Sequence, residues 1–191
     1  MKVLQTGVGK DGRVGSPLTS NGYYLDEVIS ALQKEVRRGN EYDAVYWAVE
    51  LESFNSKALW NRLKVIASED VGVAEPHAPL IIDALESMYL YSKEKKKEEY
   101  RMFFVNAVSI LARAPKCRIV DNLMITLFGD IKQGKRLEMP DYAIDKHTFR
   151  GRRKGRGMQH FIEEGSKINN EGVEDPYKKR ADEYLLKKEK K

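Results

Sequence analysis

Twelve consecutive residues concentrate the chemistry of this sequence: Lys146-His147-Thr148-Phe149-Arg150-Gly151-Arg152-Arg153-Lys154-Gly155-Arg156-Gly157 carries six cations, no acid, three glycines and one aromatic ring. Guanidinium forks pair with phosphate oxygens, glycines let a backbone follow a curved polyanion, and an aromatic ring stacks on an unpaired base. The run predicts DNA contact through Lys146, Phe149, Arg150, Arg152, Arg153, Lys154 and Arg156, with Lys132, Lys135 and Arg136 assisting. Two plainer readings stand beside it: a solvated basic loop, or one that pairs with acidic residues of the same chain.

Other chemistries find no set of residues. A P-loop needs Gly-Lys followed by a hydroxyl residue to hold magnesium, yet Gly9-Lys10 precedes Asp11 and Gly134-Lys135 precedes Arg136. Gly7-x-Gly9-x-x-Gly12 has the dinucleotide spacing but not the strand and helix that give that spacing meaning. His77, His147 and His160 are scattered, and Cys117 is the only cysteine, so no zinc pattern forms. Cys117 sits between Lys116 and Arg118, a setting that favours a thiolate, although a small residue at a helix start is the preferred reading. Glu69-Asp70 and Glu163-Glu164 are helix neighbours about 100° apart and do not converge on one atom, so a nuclease lacks its carboxylates. The expectation is a protein with no catalytic residues, cofactor or metal.

The elements that position the basic run follow from composition and period. The 191 residues carry a net charge of +5, distributed as +2 over residues 1–40, −6 over 41–92 and +9 over 93–191. A single cysteine points to a reducing, cytoplasmic setting, and no apolar run is long enough to span a membrane. Residues 1–22, with Gly7, Gly9, Gly12 and Gly15, read as a flexible leader with a short strand near Lys2 to Gln5. Leu25, Val28, Ile29, Leu32 and Val36 fall at helical spacing before the stop at Gly39-Asn40. A second helix runs through Tyr42 to Leu51, and a third, capped at Asn55 or Ser56, carries Leu59, Trp60, Leu63 and Ile66 up to Gly72. Pro76 or Pro79 opens a fourth with Ile81 to Tyr89. A fifth runs from Tyr100 to Leu111, and a sixth from Arg118 to Phe128, stopping at Gly129. The fold class is therefore all-α, a helical bundle over residues 23–135 with a basic, irregular appendage over 136–177 and a charged helix over 178–191. Trp47, Trp60, Tyr42, Tyr46, Phe103 and Phe104 form either its interior or a face for a second copy.

Three ordered motifs then resemble a known family. Ile29-Ser30-Ala31-Leu32 with Arg37-Arg38-Gly39-Asn40-x-x-Asp43-Ala44-x-Tyr46-Trp47, the turn Ala67-Ser68-Glu69-Asp70-Val71-Gly72-Val73-Ala74-Glu75-Pro76, and Leu111-Ala112-Arg113-Ala114-Pro115-Lys116 are similar to segments that follow the ATPase module in replication-associated recombination ATPases of the RarA/MgsA type, relatives of the Werner-helicase-interacting protein. The resemblance covers residues 24–130 well and fades beyond. It implies a clamp-loader-type helical collar that oligomerises, with tetramers favoured, and a place in DNA replication, recombination or repair. The family's nucleotide-binding and lid domains have no counterpart in these residues, so its ATPase activity does not carry over. The expected function is a non-catalytic, oligomeric DNA-binding protein. The alternative is an adaptor that docks on a separate AAA+ ATPase or another replication protein without touching DNA.

Overall fold

The structure, a computed structural model, describes residues 6–8, 14–169 and 172–189. It divides into two compact units, Met1–Lys132 and Gln133–Lys191. Helices dominate the first, as the apolar period predicts; the second, read from sequence as an irregular appendage and a charged helix, holds short helical turns and one longer helix at its end. In the first unit, β1 (Thr6–Val8) pairs antiparallel with β2 (Val14–Pro17), Thr6 facing Pro17 and Val8 facing Val14. Strands this short leave no alternation to read, so the sequence shows only a glycine-rich leader. The strand expected at Lys2 to Gln5 lies outside the described residues.

Helix α1 (Leu25–Arg38) buries Val28, Leu32 and Val36 along one stripe and ends at Gly39, whose φ of 80° lets its N–H reach the carbonyls of Glu35 and Val36. Helix α2 (Glu41–Ile66) breaks at Asn55, where the backbone is extended (φ −156°, ψ 92°). The Asn55 side chain accepts the Ala58 N–H at 3.1 Å and restarts the helix, so the predicted second and third helices join end to end. Helix α3 (Ala78–Glu94) carries Pro79 in its first turn, where no amide donor is missed, and α4 (Tyr100–Arg113) closes before Pro115. Helix α5 (Ile119–Lys132) differs from expectation by running through Gly129. A glycine inside a helix costs only about 1 kcal/mol relative to alanine, too little to end an otherwise strong one.

The core is shared by α1 to α4. Trp60, Tyr89 and Phe104 are almost fully buried, with ring centroids 5.4 Å apart for Trp60–Tyr89 and 6.3 Å for Tyr89–Phe104. Leu32, Leu51, Leu63, Ile82 and Leu111 fill in around them. Of the aromatics assigned to either interior or interface, Trp60 and Phe104 therefore belong to the interior.

Two polar clusters pin the helices. The buried Glu52 carboxylate accepts the Tyr89 hydroxyl and the Lys93 ammonium, the latter at 2.8 Å, joining α2 to α3. Burial pushes the Glu52 carboxyl up, but the Lys93 and Tyr89 hydrogen bonds outweigh it and hold it below its ordinary value. The second cluster occupies the Ala67–Val71 turn of π-helix. Asp70, fully buried, accepts Gln33 Nε2 at 2.8 Å and Arg37 Nε at 2.5 Å, while its carbonyl accepts the Cys117 N–H at 2.8 Å. Arg118 then bridges Glu69, at 3.3 Å, and Asp121. The motif over residues 67–76 thus fastens α1, the end of α2 and the start of α5.

In the second unit, a 3-10 turn (Asp141–Ala143) precedes α6 (Phe149–Arg153) and α7 (Met158–His160), which continues into a π-helical turn at Phe161–Gly165. Helix α8 (Lys178–Glu189) follows.

Candidate nucleic-acid interface

The basic run folds as a capped helical turn. Thr148 caps α6: its hydroxyl accepts the Gly151 N–H at 3.0 Å and donates to the Asp145 carbonyl at 3.0 Å. The Asp145 carboxylate accepts both the amide and Nδ1 of His147, each at 2.9 Å, and the His147 ring meets Phe161 edge to face at 4.9 Å. The His147 hydrogen bond holds the Asp145 carboxyl below its ordinary value. Gly151 is buried in this knot, and a methyl group there would stand 1.7 Å from the Asp145 carbonyl oxygen. The role expected for this glycine, a flexible joint along a polyanion, is replaced by close backbone packing.

That knot sorts the predicted cations. Phe149 is 66% exposed with the Arg153 guanidinium over its ring, 5.6 Å from the centroid. Arg150 and Arg153 are both exposed on α6. Lys154 is exposed and lies 3.5 Å from Asp141. Arg152 reaches back to the His147 carbonyl at 3.0 Å. Arg156 is committed to the fold: it donates to the carbonyls of Asp141 and Ile144 at 2.8 and 2.6 Å and pairs with the Asp141 carboxylate at 2.6 Å, leaving its side chain 17% exposed. Arg156 in turn keeps the Asp141 carboxyl below its ordinary value. Lys146 is half-buried, and Lys135 and Arg136 are exposed ahead of the Asp141 turn. Lys132 is the last residue of α5, in the first unit. The structure therefore gathers Phe149, Arg150, Arg153 and Lys154 on one exposed turn and withdraws Arg156 from it.

Sequence reasoning passed over two features. On α8, Arg180 donates from Nε and Nη2 to the Tyr184 hydroxyl at 3.1 Å and stacks on its ring, beside Lys187; the signal was tyrosine interleaved with lysine and arginine. The larger omission is α5. Its one buried residue is Asp121, whereas Ile119, Leu123, Ile125 and Phe128 are each more than 60% exposed. A groove of about 360 Å³ runs between it and the end of α2, lined by Lys64, Val65, Ser68, Val120 and Met124. Eight apolar residues in a fourteen-residue helix, spread over more than half of its circumference, were the available signal.

Among the described residues, no group of three or more His, Cys, Asp or Glu is placed to hold a metal ion. No helix among them is long and apolar enough to cross a membrane.

Helices packed around one core and pinned by a buried acidic turn, with an exposed apolar helix following them, define an all-α helical domain. The sequence profile of the MgsA AAA+ ATPase C-terminal family matches residues 39–185, and the chain belongs to that family. It is 29% identical over 136 residues to replication-associated recombination protein A of Bacillus subtilis (strain 168), an alignment covering 70% of this chain and 31% of that protein. The protein of the same name from Haemophilus influenzae is 34% identical over 123 residues, 63% of this chain and 26% of the relative. That from Escherichia coli (strain K12) is 31% identical over 138 residues, 71% of this chain and 29% of the relative. The chain thus spans a third or less of the length of these relatives, and the match falls on their C-terminal helical domain.

Proposed function

We propose that this chain is a non-catalytic, self-associating collar that binds DNA in replication-associated recombination, acting in the cytoplasm. The observation that carries the proposal is the uncovered α5. Ile119, Leu123, Ile125 and Phe128 are each more than 60% exposed on it, an apolar patch of the kind that marks a protein interface. A second copy is the cover that a collar supplies, and a closed ring of four is the expected assembly. Each copy then adds the exposed turn of Phe149, Arg150, Arg153 and Lys154, so assembly multiplies weak phosphate contacts along one strand.

Sedimentation velocity tests the association: the full chain is expected to assemble, and Leu123→Glu with Phe128→Glu to yield monomers. Titration of labelled single-stranded DNA at several salt concentrations tests the contact. With roughly three phosphates engaged per protomer, log affinity falls with log salt at a slope of about −2 to −3, and Arg150→Ala and Arg153→Ala each flatten that slope by about one. A monomer at all concentrations, or DNA binding indifferent to salt, overturns the proposal.

A further inference from the structure

A different face of the first unit carries an inference independent of the DNA-binding reading. Helices α1 and α2 pack against each other, and Tyr23 and Asn21, just ahead of α1, meet Trp47 and Glu50 of α2. Residues 14–33 and 39–56 hold six acids, Asp26, Glu27, Glu41, Asp43, Glu50 and Glu52, and no Lys, Arg or His. On the outer side of this pair the rings are exposed. Tyr42 (84%), Tyr46 (46%) and Val49 (46%) follow one another at helical spacing along α2. Tyr23 and Tyr46 each stand nearly perpendicular to Trp47, at 5.2 and 5.0 Å between centroids, and their hydroxyls are 3.4 Å apart.

The acids divide into two groups. Glu41 is paired with Arg113, Glu52 with Lys93, and Glu50 accepts Asn21 Nδ2 at 2.6 Å. Asp26, Glu27 and Asp43 are exposed: Asp43 precedes Tyr46 and Trp47 by three and four residues on α2, and Asp26 and Glu27 follow Tyr23 by three and four residues, in a groove of α1 that Lys34 and Arg38 also line. Aromatic faces attract cations through their quadrupole, and carboxylates at the rim add a longer-range pull of the same sign. Tyrosine and tryptophan also supply rigid contact area at little entropic cost, which is why they anchor interfaces. A polyanion is repelled here, and an apolar helix finds too many charges.

We propose that the Tyr23–Tyr42–Tyr46–Trp47 face docks a lysine- and arginine-rich segment of a partner protein. The rings hold the cationic side chains, and Asp26, Glu27 and Asp43 set the polarity of the contact. This gives the chain an acidic–aromatic docking face on its first unit, separate from the basic turn of α6.

The test is anisotropy titration of the full chain with a fluorescein-labelled peptide of repeating Lys-Arg-Ser, against the same peptide with glutamate replacing the cations. Saturable binding of the basic peptide alone is expected, weakening as salt rises. Because Trp60 is buried, a change in tryptophan emission on binding reports Trp47. Tyr42→Ser with Tyr46→Ser leaves the charge untouched and should weaken binding about tenfold or more. Tyr42 is so exposed that Tyr42→Ser alone leaves the fold intact, and it should move affinity in the same direction. Equal affinity in wild type and tyrosine variants, equal binding of the glutamate peptide, or no saturable binding overturns the proposal.

Discussion

Helices α4 and α5 are each 14 residues long and similarly rich in apolar side chains, yet they meet opposite fates. Helix α4 buries Phe104, Ala107, Val108, Leu111 and Ala112, whereas α5 buries Asp121 alone. The two are also held differently. Packing holds α4, while polar hooks at its start hold α5: the Cys117 N–H on the Asp70 carbonyl, and Arg118 between Glu69 and Asp121. Anchoring a helix by one charged end leaves its apolar sides clear. The apolarity of a helix alone therefore does not say whether it packs within its own chain; its anchoring and its exposure do.

The largest expected effect sets identical side chains against each other. Phe104→Ala empties a buried core site and should cost about 3–5 kcal/mol of unfolding free energy. Phe128→Ala removes a ring that is 67% exposed and should change the stability of the dilute protomer by no more than about 0.5 kcal/mol. Urea unfolding at low protein concentration measures both. Comparable losses would mean that α5 is covered within its own chain, and the contrast would fail.

The hooks come next. Asp70→Asn removes the charge that Arg37 and Gln33 converge upon, leaving donors in a buried site with a poorer acceptor, at a cost of about 1–3 kcal/mol. If α5 is held by its first turn, its amides should lose hydrogen-exchange protection before those of α4 do. Equal loss along both helices would show that Asp70 serves the bundle as a whole.

The Glu52 cluster allows the same question to be put through pH. Its carboxyl lies below the ordinary value in the folded chain, so the unfolded chain binds the proton more readily. The stability it contributes is complete above the ordinary carboxylate value near 4.5 and is lost as pH falls through the lower folded value. Thermal melts across this range should show wild type declining more steeply than Glu52→Gln. Parallel declines would remove the clip between α2 and α3 from the account of why α1 to α4 hold together without α5.

How much of this the residues disclosed depends on the range of the interaction. Local devices were readable, to within a choice of neighbours: a stop at Gly39-Asn40, a cap at Asn55 or Ser56 between two apolar runs, and a helix opening at Pro76 or Pro79 all act within a few residues. The collar resemblance was readable from three motifs, but the reason for the acidic one was not, because Asp70 works through Gln33 and Arg37, more than thirty residues away in sequence. The same distance problem hid the fate of Arg156, whose partner Asp141 lies 15 residues upstream. Gly151 looked like a flexible joint because spacing cannot distinguish a glycine that bends from one that lets two backbones touch. The exposure of α5 was out of reach for a further reason: periodicity shows which side chains are apolar, not which of them the fold leaves at its surface.

The smallest expected effect addresses that last gap. Gly129 sits inside α5, and a methyl group built on it meets nothing within 4 Å. Within one protomer the glycine therefore has no steric purpose, and Gly129→Ala should raise the stability of the dilute chain by up to about 1 kcal/mol through helix propensity alone. A glycine on a helix that receives a second copy has another use, since it lets the partner's side chains approach the backbone closely. The added methyl should then weaken assembly while stabilising the protomer. Sedimentation equilibrium and urea unfolding of the same variant separate the two. Opposite signs would support the proposed contact between copies at Gly129, and assembly that is absent or unchanged would count against a second copy on this part of α5.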